Sequence, residues 1–137
     1  MHTQSHQDPV LSCKEAKLFE ASILSDQASE WSAMKRAVEG IARRLVDDYS
    51  ELRPAPDHLR VLALIGKGNN AGDALTACGQ LLADFPRARV HLILTSPVEA
   101  LSTLSTRALE QLVGRVHVHQ ITGKEEMTDF TDLLEVI

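Results

Sequence analysis

The residues best suited to chemistry lie between Gly66 and Asp73, in the run Val61–Ala77, VLALIGKGNNAGDALTA. Gly66, Gly68 and Ala71 match G-x-G-x-x-G/A between an apolar run and a helical pattern. Glycines there permit tight turning and close approach of a ligand, and a helix start offers free N–H groups to an anion. The match alone is weak, and the following strand ends in Thr95–Ser96, without the acid that a dehydrogenase uses to hold ribose hydroxyls. No Gly-Lys-Ser/Thr closes the loop, which excludes a P-loop. The generic pattern does not explain Asn69-Asn70 followed by Gly72-Asp73. Paired asparagines can adopt left-handed backbone geometry and aim amide oxygens at a cation. Asp73 at a helix start suits the helix dipole but repels a nearby phosphate, so it caps, accepts hydroxyls or helps hold a cation. The plainer alternative is a structural turn in which the asparagines merely cap.

Other candidates carry less. His117 and His119 alternate with Val116 and Val118 and share one strand face, but a metal site wants a third ligand, and no acidic or Cys partner is near in sequence. They read as ordinary strand histidines. Cys78, among Ala74, Leu75, Ala77 and Leu81, reads as a small buried residue. Cys13 and Cys78 form no CxxC pattern, so free thiols are expected. Arg36 can reach a phosphate, yet an exposed helix face suits it better.

Elements to position these residues follow from the periodicities. Residues 1–10 read as a tail and 11–137 as one domain, the chain being long enough for a single core. Ser12 and Glu15 have capping-box spacing and open a first helix. Trp31, Met34, Val38, Ile41, Leu45 and Tyr49 form the apolar stripe of a second, which ends before the Pro-rich linker Leu52–Asp57. The continuous apolar run Leu59–Ile65 predicts a central parallel strand buried on both faces. A helix over about Asp73–Phe85 and a strand over Arg89–Thr95 follow. Ser96, Pro97 and Glu99 then resemble a helix start, and Gly114 a helix stop. Arg115–Ile121 reads as a third strand and Asp132–Ile137 as a fourth, just begun. Alternating strands and helices imply right-handed βαβ units and an α/β fold, a three-layer αβα Rossmann-like domain with a mainly parallel sheet, its last strand cut before the loop that should follow. The formal charge of -5 and the lack of a basic block argue against nucleic acid. No apolar run approaches a membrane span and no secretory signal is visible, so a cytoplasmic protein is expected.

GKGNNAGDA resembles the GxGNNGGDG signature of the NAD(P)H-hydrate epimerase family, the YjeF N-terminal domain. VLSCKEAKLFE is similar to the family's first helix, and Ala33–Val38 stands where the family has M-E-N-A-G. The resemblance implies a reaction that interconverts the R and S epimers of hydrated NADH or NADPH in nicotinamide nucleotide repair. It implies that Asn69, Asn70, Ala71, Gly72 and Asp73 line the substrate and that Asn70 ligates a potassium ion (K+). It also makes a homodimer and a fused or separate dehydratase domain the expected protein partners. No catalytic acid or base is identifiable in these residues, so the 137-residue chain alone is expected to have little activity. Ala71 and Ala74 replace glycines, Lys67 a proline, and Lys35, Arg36 and Val38 the acid, amide and glycine of M-E-N-A-G. If Ala71 or Ala74 needed a left-handed backbone, each would cost about 1–2 kcal/mol. These departures support the alternative, a non-catalytic nucleotide-binding or scaffold module with the same fold.

Overall fold

The computed structural model describes residues 10–54, 56 and 58–121. Two helices lead, α1 (Cys13–Ile23) and α2 (Gln27–Leu52). Then come β1 (Arg60–Ile65), α3 (Asn70–Asp84), β2 (Arg89–Leu94), a 3-10 turn at Val98–Ala100, α4 (Thr103–Glu110) and β3 (His117–Gln120). The strands pair in parallel in the order β1-β2-β3, with Val61 opposite Val90 and His91 opposite His117. This is the parallel sheet of an αβα Rossmann-like fold. The expected strand over Asp132–Ile137 and most of the expected N-terminal tail lie outside the described residues.

Local signals set the helix ends. Ser12 and Glu15 form the capping box, and the Ser12 hydroxyl, then its N–H, holds the Glu15 carboxyl below its usual pKa. Asp26 and Ser29 build an equivalent box for α2, which the sequence reading missed. Gly114 closes the turns after α4 at φ 78, a conformation that excludes most side chains. The helix expected to begin at Ser96 begins instead at Ser102, whose Oγ accepts the Ser105 N–H at 3.2 Å. Ser96-Pro97 opens only the 3-10 turn, because Leu101 is extended and breaks the helix between them.

Both crossovers step in the same direction along the sheet, so a right-handed connection puts α3 and α4 on one face. Val90, Leu92 and Leu94 meet Leu75, Cys78, Ala108 and Leu112 there in the buried core. The helix α2 packs on α3 in that same layer, burying Trp31, Val38 and Ala42, while Ile41 and Leu45 of its expected stripe stay exposed. The Arg107 guanidinium lies 4.4 Å over the Trp31 ring, tying α4 to the start of α2. None of the residues of α1 is buried.

The expectation for Leu59–Ile65 needs correction. Among the described residues β2 is the central strand and β1 lies at the edge, with Leu64 65% exposed on the face away from the helices. A continuous apolar run marks both faces as suited to burial, but the topology covers only one of them. That second face also carries His91, His117 and His119, stacked on one another. Partial burial, then repulsion from His117, His119 and Arg89, lowers the pKa of His91. Cys13 is exposed and Cys78 buried, both free, and burial pushes the Cys78 thiol up to about 11, which makes it a poor nucleophile.

Gly72 sets the spacing of the helical layer. A Cβ there would lie 2.9 Å from Met34 Sδ and 3.4 Å from Ser105 Oγ. Gly72→Val should therefore destabilise the chain by about 1–3 kcal/mol through overpacking. Met34→Ala in the same chain should recover part of that loss. Urea unfolding of the single and double variants checks both statements, and simple additivity would show that the two residues do not meet.

Candidate functional site

At the carboxyl ends of β1 and β2 the chain turns through two loops that are fastened together. The Thr95 N–H and hydroxyl both donate to the Ile65 carbonyl, at 3.0 and 3.3 Å. Beyond that tie the Gly66–Asn69 loop enters α3 through a tight turn, with the Ala71 N–H on the Gly68 carbonyl at 3.0 Å and the Gly72 N–H on the Asn69 carbonyl at 3.1 Å. No residue of this loop has a positive φ, and Asn69 itself is at φ -60, ψ -33. The left-handed geometry open to paired asparagines is thus not used here. Ala71 and Ala74 lie in ordinary helix and carry no backbone strain.

A cleft of about 490 Å³ opens above this loop. Asn69 and Asp73 line it from the start of α3, Ser102 and Leu104 from α4, Glu30 and Met34 from α2, and Lys17 and Glu20 from α1. Such crevices at strand ends are where open α/β sheets bind ligands. Helical geometry explains which of the five predicted residues reach the cleft. Asn69 and Asp73 are four apart and share a helix face. Asn70, one position on, is exposed beside the cleft without lining it, and Ala71 and Gly72 are buried beneath, against α2 and α4.

The polar groups here have spare capacity. Asn69 occupies the N-cap of α3 but its side chain makes no capping hydrogen bond. Among the described residues the N–H groups of Asn69 and Asn70 have no backbone acceptor, and Asp73 has no ion pair. The site thus offers two N–H donors at the positive end of a 15-residue helix, beside an amide and a carboxylate oxygen. Ser102, by contrast, uses its hydroxyl to cap α4 and to contact Ser105 Oγ at 2.9 Å. Among the described residues the lining carries three carboxylates, Glu20, Glu30 and Asp73, and one cation, Lys17. Of the three, only Asp73 was legible as a site residue in the sequence. Glu20 and Glu30 belong to no motif and come to the cleft only through the packing of α1 and α2. Ser102-x-x-Ser105 was the one legible signal, as a helix cap. Lys35 lines a separate groove of about 200 Å³ with Thr76 and Arg115, and Arg36 is exposed. Among the described residues no three metal-ligating side chains converge on a point, and no helix is long and apolar enough to cross a membrane.

Comparison with known proteins adds a family. The model described as YjeF-related protein N-terminus matches residues 31–133. A protein of Salinibacter ruber named bifunctional NAD(P)H-hydrate repair enzyme Nnr is 39% identical over 72 residues, which is 53% of this chain and 12% of that protein. The chain therefore spans only a small part of the relative's length.

The two N-caps predict opposite outcomes. Ser102→Ala should cost about 1 kcal/mol, the usual loss for a working cap. Asn69→Ala, which removes no capping bond, should leave thermal stability almost unchanged. A clear drop in melting temperature for Asn69→Ala would assign that side chain a structural role.

Proposed function

The chain belongs to the family of YjeF-related protein N-terminal domains, and from that premise we propose that its cleft binds hydrated NADH or NADPH and interconverts the R and S epimers for nicotinamide nucleotide repair. The observation that carries this reading is the placement of Asn69 and Asp73, from the family-like Asn-Asn-x-Gly-Asp core, in a cleft at the carboxyl ends of two parallel strands. The relative's name, NAD(P)H-hydrate repair, points to the same substrate class.

The chemistry asks for two things. The hydrated nicotinamide carbon bears a hydroxyl beside a ring nitrogen, and loss and return of water, or ring opening, scrambles that centre. A proton must therefore be given to and taken from the substrate by a group within hydrogen-bond reach. Asp73 and Glu30 are the carboxylates of the cleft available for that task. The pyrophosphate also needs a grip, and the unpaired N–H groups of Asn69 and Asn70 at the start of α3 suit it.

A hard monovalent cation fits the donor set. The Asn69 amide is free of capping duty, and Asp73 adds an oxygen one turn on, with the Asn70 amide exposed alongside. We propose that these side chains hold potassium, which would supply positive charge opposite the substrate's phosphates. On the same reading the protein works in the cytoplasm. A dehydratase domain, fused or separate, would take the epimer it delivers, and a homodimer is the proposed assembly.

The test follows a single purified hydrate epimer by NMR, with potassium present and absent, and measures its binding by calorimetry. Wild type should interconvert the epimers in potassium. Asp73→Asn should lower the rate by about 10²–10⁴-fold, the usual scale for lost acid–base help, and Asn69→Ala should weaken binding. Binding without turnover in wild type would select the non-catalytic nucleotide-binding module. Unchanged binding in both variants would place the ligand elsewhere.

A further inference from the structure

The geometry points to a transition-metal site on the sheet face opposite the helices, formed by His91, His117 and His119. His117 and His119 stand two apart on β3 and so share a face. The parallel register sets His91 of β2 directly opposite His117, with His119 beside Ile93. His91 supplies the third imidazole that the sequence alone did not place, because it lies 26 residues before His117 and reaches it only through the βαβ crossover.

The spacing suits chelation. His91 Nδ1 lies 3.1 Å from His119 Nε2. Two nitrogens each about 2.0–2.1 Å from a tetrahedral zinc ion are separated by roughly 3.3 Å, so the separation already suits a chelate, and binding requires the two rings to turn until both lone pairs face one ion. The His117 ring stacks on His91 with centroids 4.6 Å apart and planes 20° from parallel. As they stand the three do not converge on one point. His117 is exposed on β3, however, so its side chain has room to turn, and on this proposal its ring leaves the stack to bring a nitrogen toward the other two.

The donor set selects the ion. Three imidazoles without a carboxylate suit zinc, nickel or copper rather than magnesium or calcium. Three histidines leave a fourth position open for water or an outside ligand. Arg89, whose charge already acts on His91, opposes a bare dication and favours an anionic fourth ligand. The site is therefore weaker than a closed four-ligand structural centre. It is separate from the cleft, since none of the described residues lining the cleft is a histidine.

The experiment titrates metal-free protein with zinc chloride by calorimetry and with cobalt chloride by visible absorption. One equivalent of each should bind, and cobalt should show the ligand-field bands of imidazole coordination. His91→Ala, His117→Ala and His119→Ala should each weaken zinc by at least about tenfold, the lower end of what even outer-shell partners cost. Replacing the other three histidines, His2, His6 and His58, should leave affinity unchanged. Should an alanine variant unfold, footprinting of the wild type decides instead: zinc should shield these three imidazoles from diethyl pyrocarbonate, read by mass spectrometry. Absence of zinc binding, or one equivalent retained when His91, His117 and His119 are all replaced, overturns the site. So does a footprint that zinc leaves unchanged.

Discussion

The contact at Gly72 governs the arrangement of the site. Three helices meet there, and a Cβ on Gly72 would lie 2.9 Å from Met34 Sδ of α2 and 3.4 Å from Ser105 Oγ of α4, so that a larger residue displaces the Met34 side chain. Because α3 begins only two residues earlier, Asn69 and Asp73, which line the cleft, stand beside this contact in the chain. The glycines of the preceding loop matter less. Gly68 has open space around its missing Cβ, and Gly66 would meet only Thr95 Oγ1 at 3.9 Å, an ordinary contact. The helical glycine is thus the demanding one, for packing rather than for backbone conformation.

This division of labour separates structural from available groups. Buried Ala71 and Gly72 belong to the packing, Ser102 to a cap, and Thr95 to the tie between two strand ends. Among the described residues, what remains unpaired is a pair of N–H groups, an amide and a carboxylate, all at the start of α3. Exposed polar groups at a helix start are normally solvated at little cost, so their freedom alone argues nothing. Their position at the carboxyl ends of parallel strands gives it meaning, since that is where open α/β sheets bind ligands.

Local chemistry was legible in the sequence and long-range geometry was not. Ser12 and Glu15, Gly114, and the strand–loop–helix around Gly66–Asp73 were readable because each is decided within a few residues. The five-residue motif read as one contiguous lining, yet a helix turns about 100° per residue and sends Asn69 and Asp73 to one side and Ala71 and Gly72 to the other. The edge position of β1 was hidden because apolar patterning tells which faces can be buried, not what arrives to bury them. Glu20, Glu30 and His91 were invisible as site residues for the same reason, as their neighbours come from other elements.

The charge of the cleft bears on how a dinucleotide can occupy it. Two like charges about 6 Å apart repel by roughly 3 kcal/mol at an effective dielectric of 20. A pyrophosphate placed near Glu20, Glu30 and Asp73 would meet that repulsion more than once, with Lys17 as the one opposing side chain among the described lining residues. The dipole of α3 returns about 0.3–1 kcal/mol per charge at exposed sites, which does not balance it. Either the phosphates lie away from the carboxylates, over the Asn69 and Asn70 N–H groups, or positive charge sits between them. On the proposed function, the first arrangement leaves the nicotinamide end of the molecule to meet Glu30 and Asp73, with a hydroxyl rather than a phosphate against the carboxylates. On that proposed reading, the acidic lining that opposes the phosphate end of the molecule is the lining that proton transfer at the other end would use.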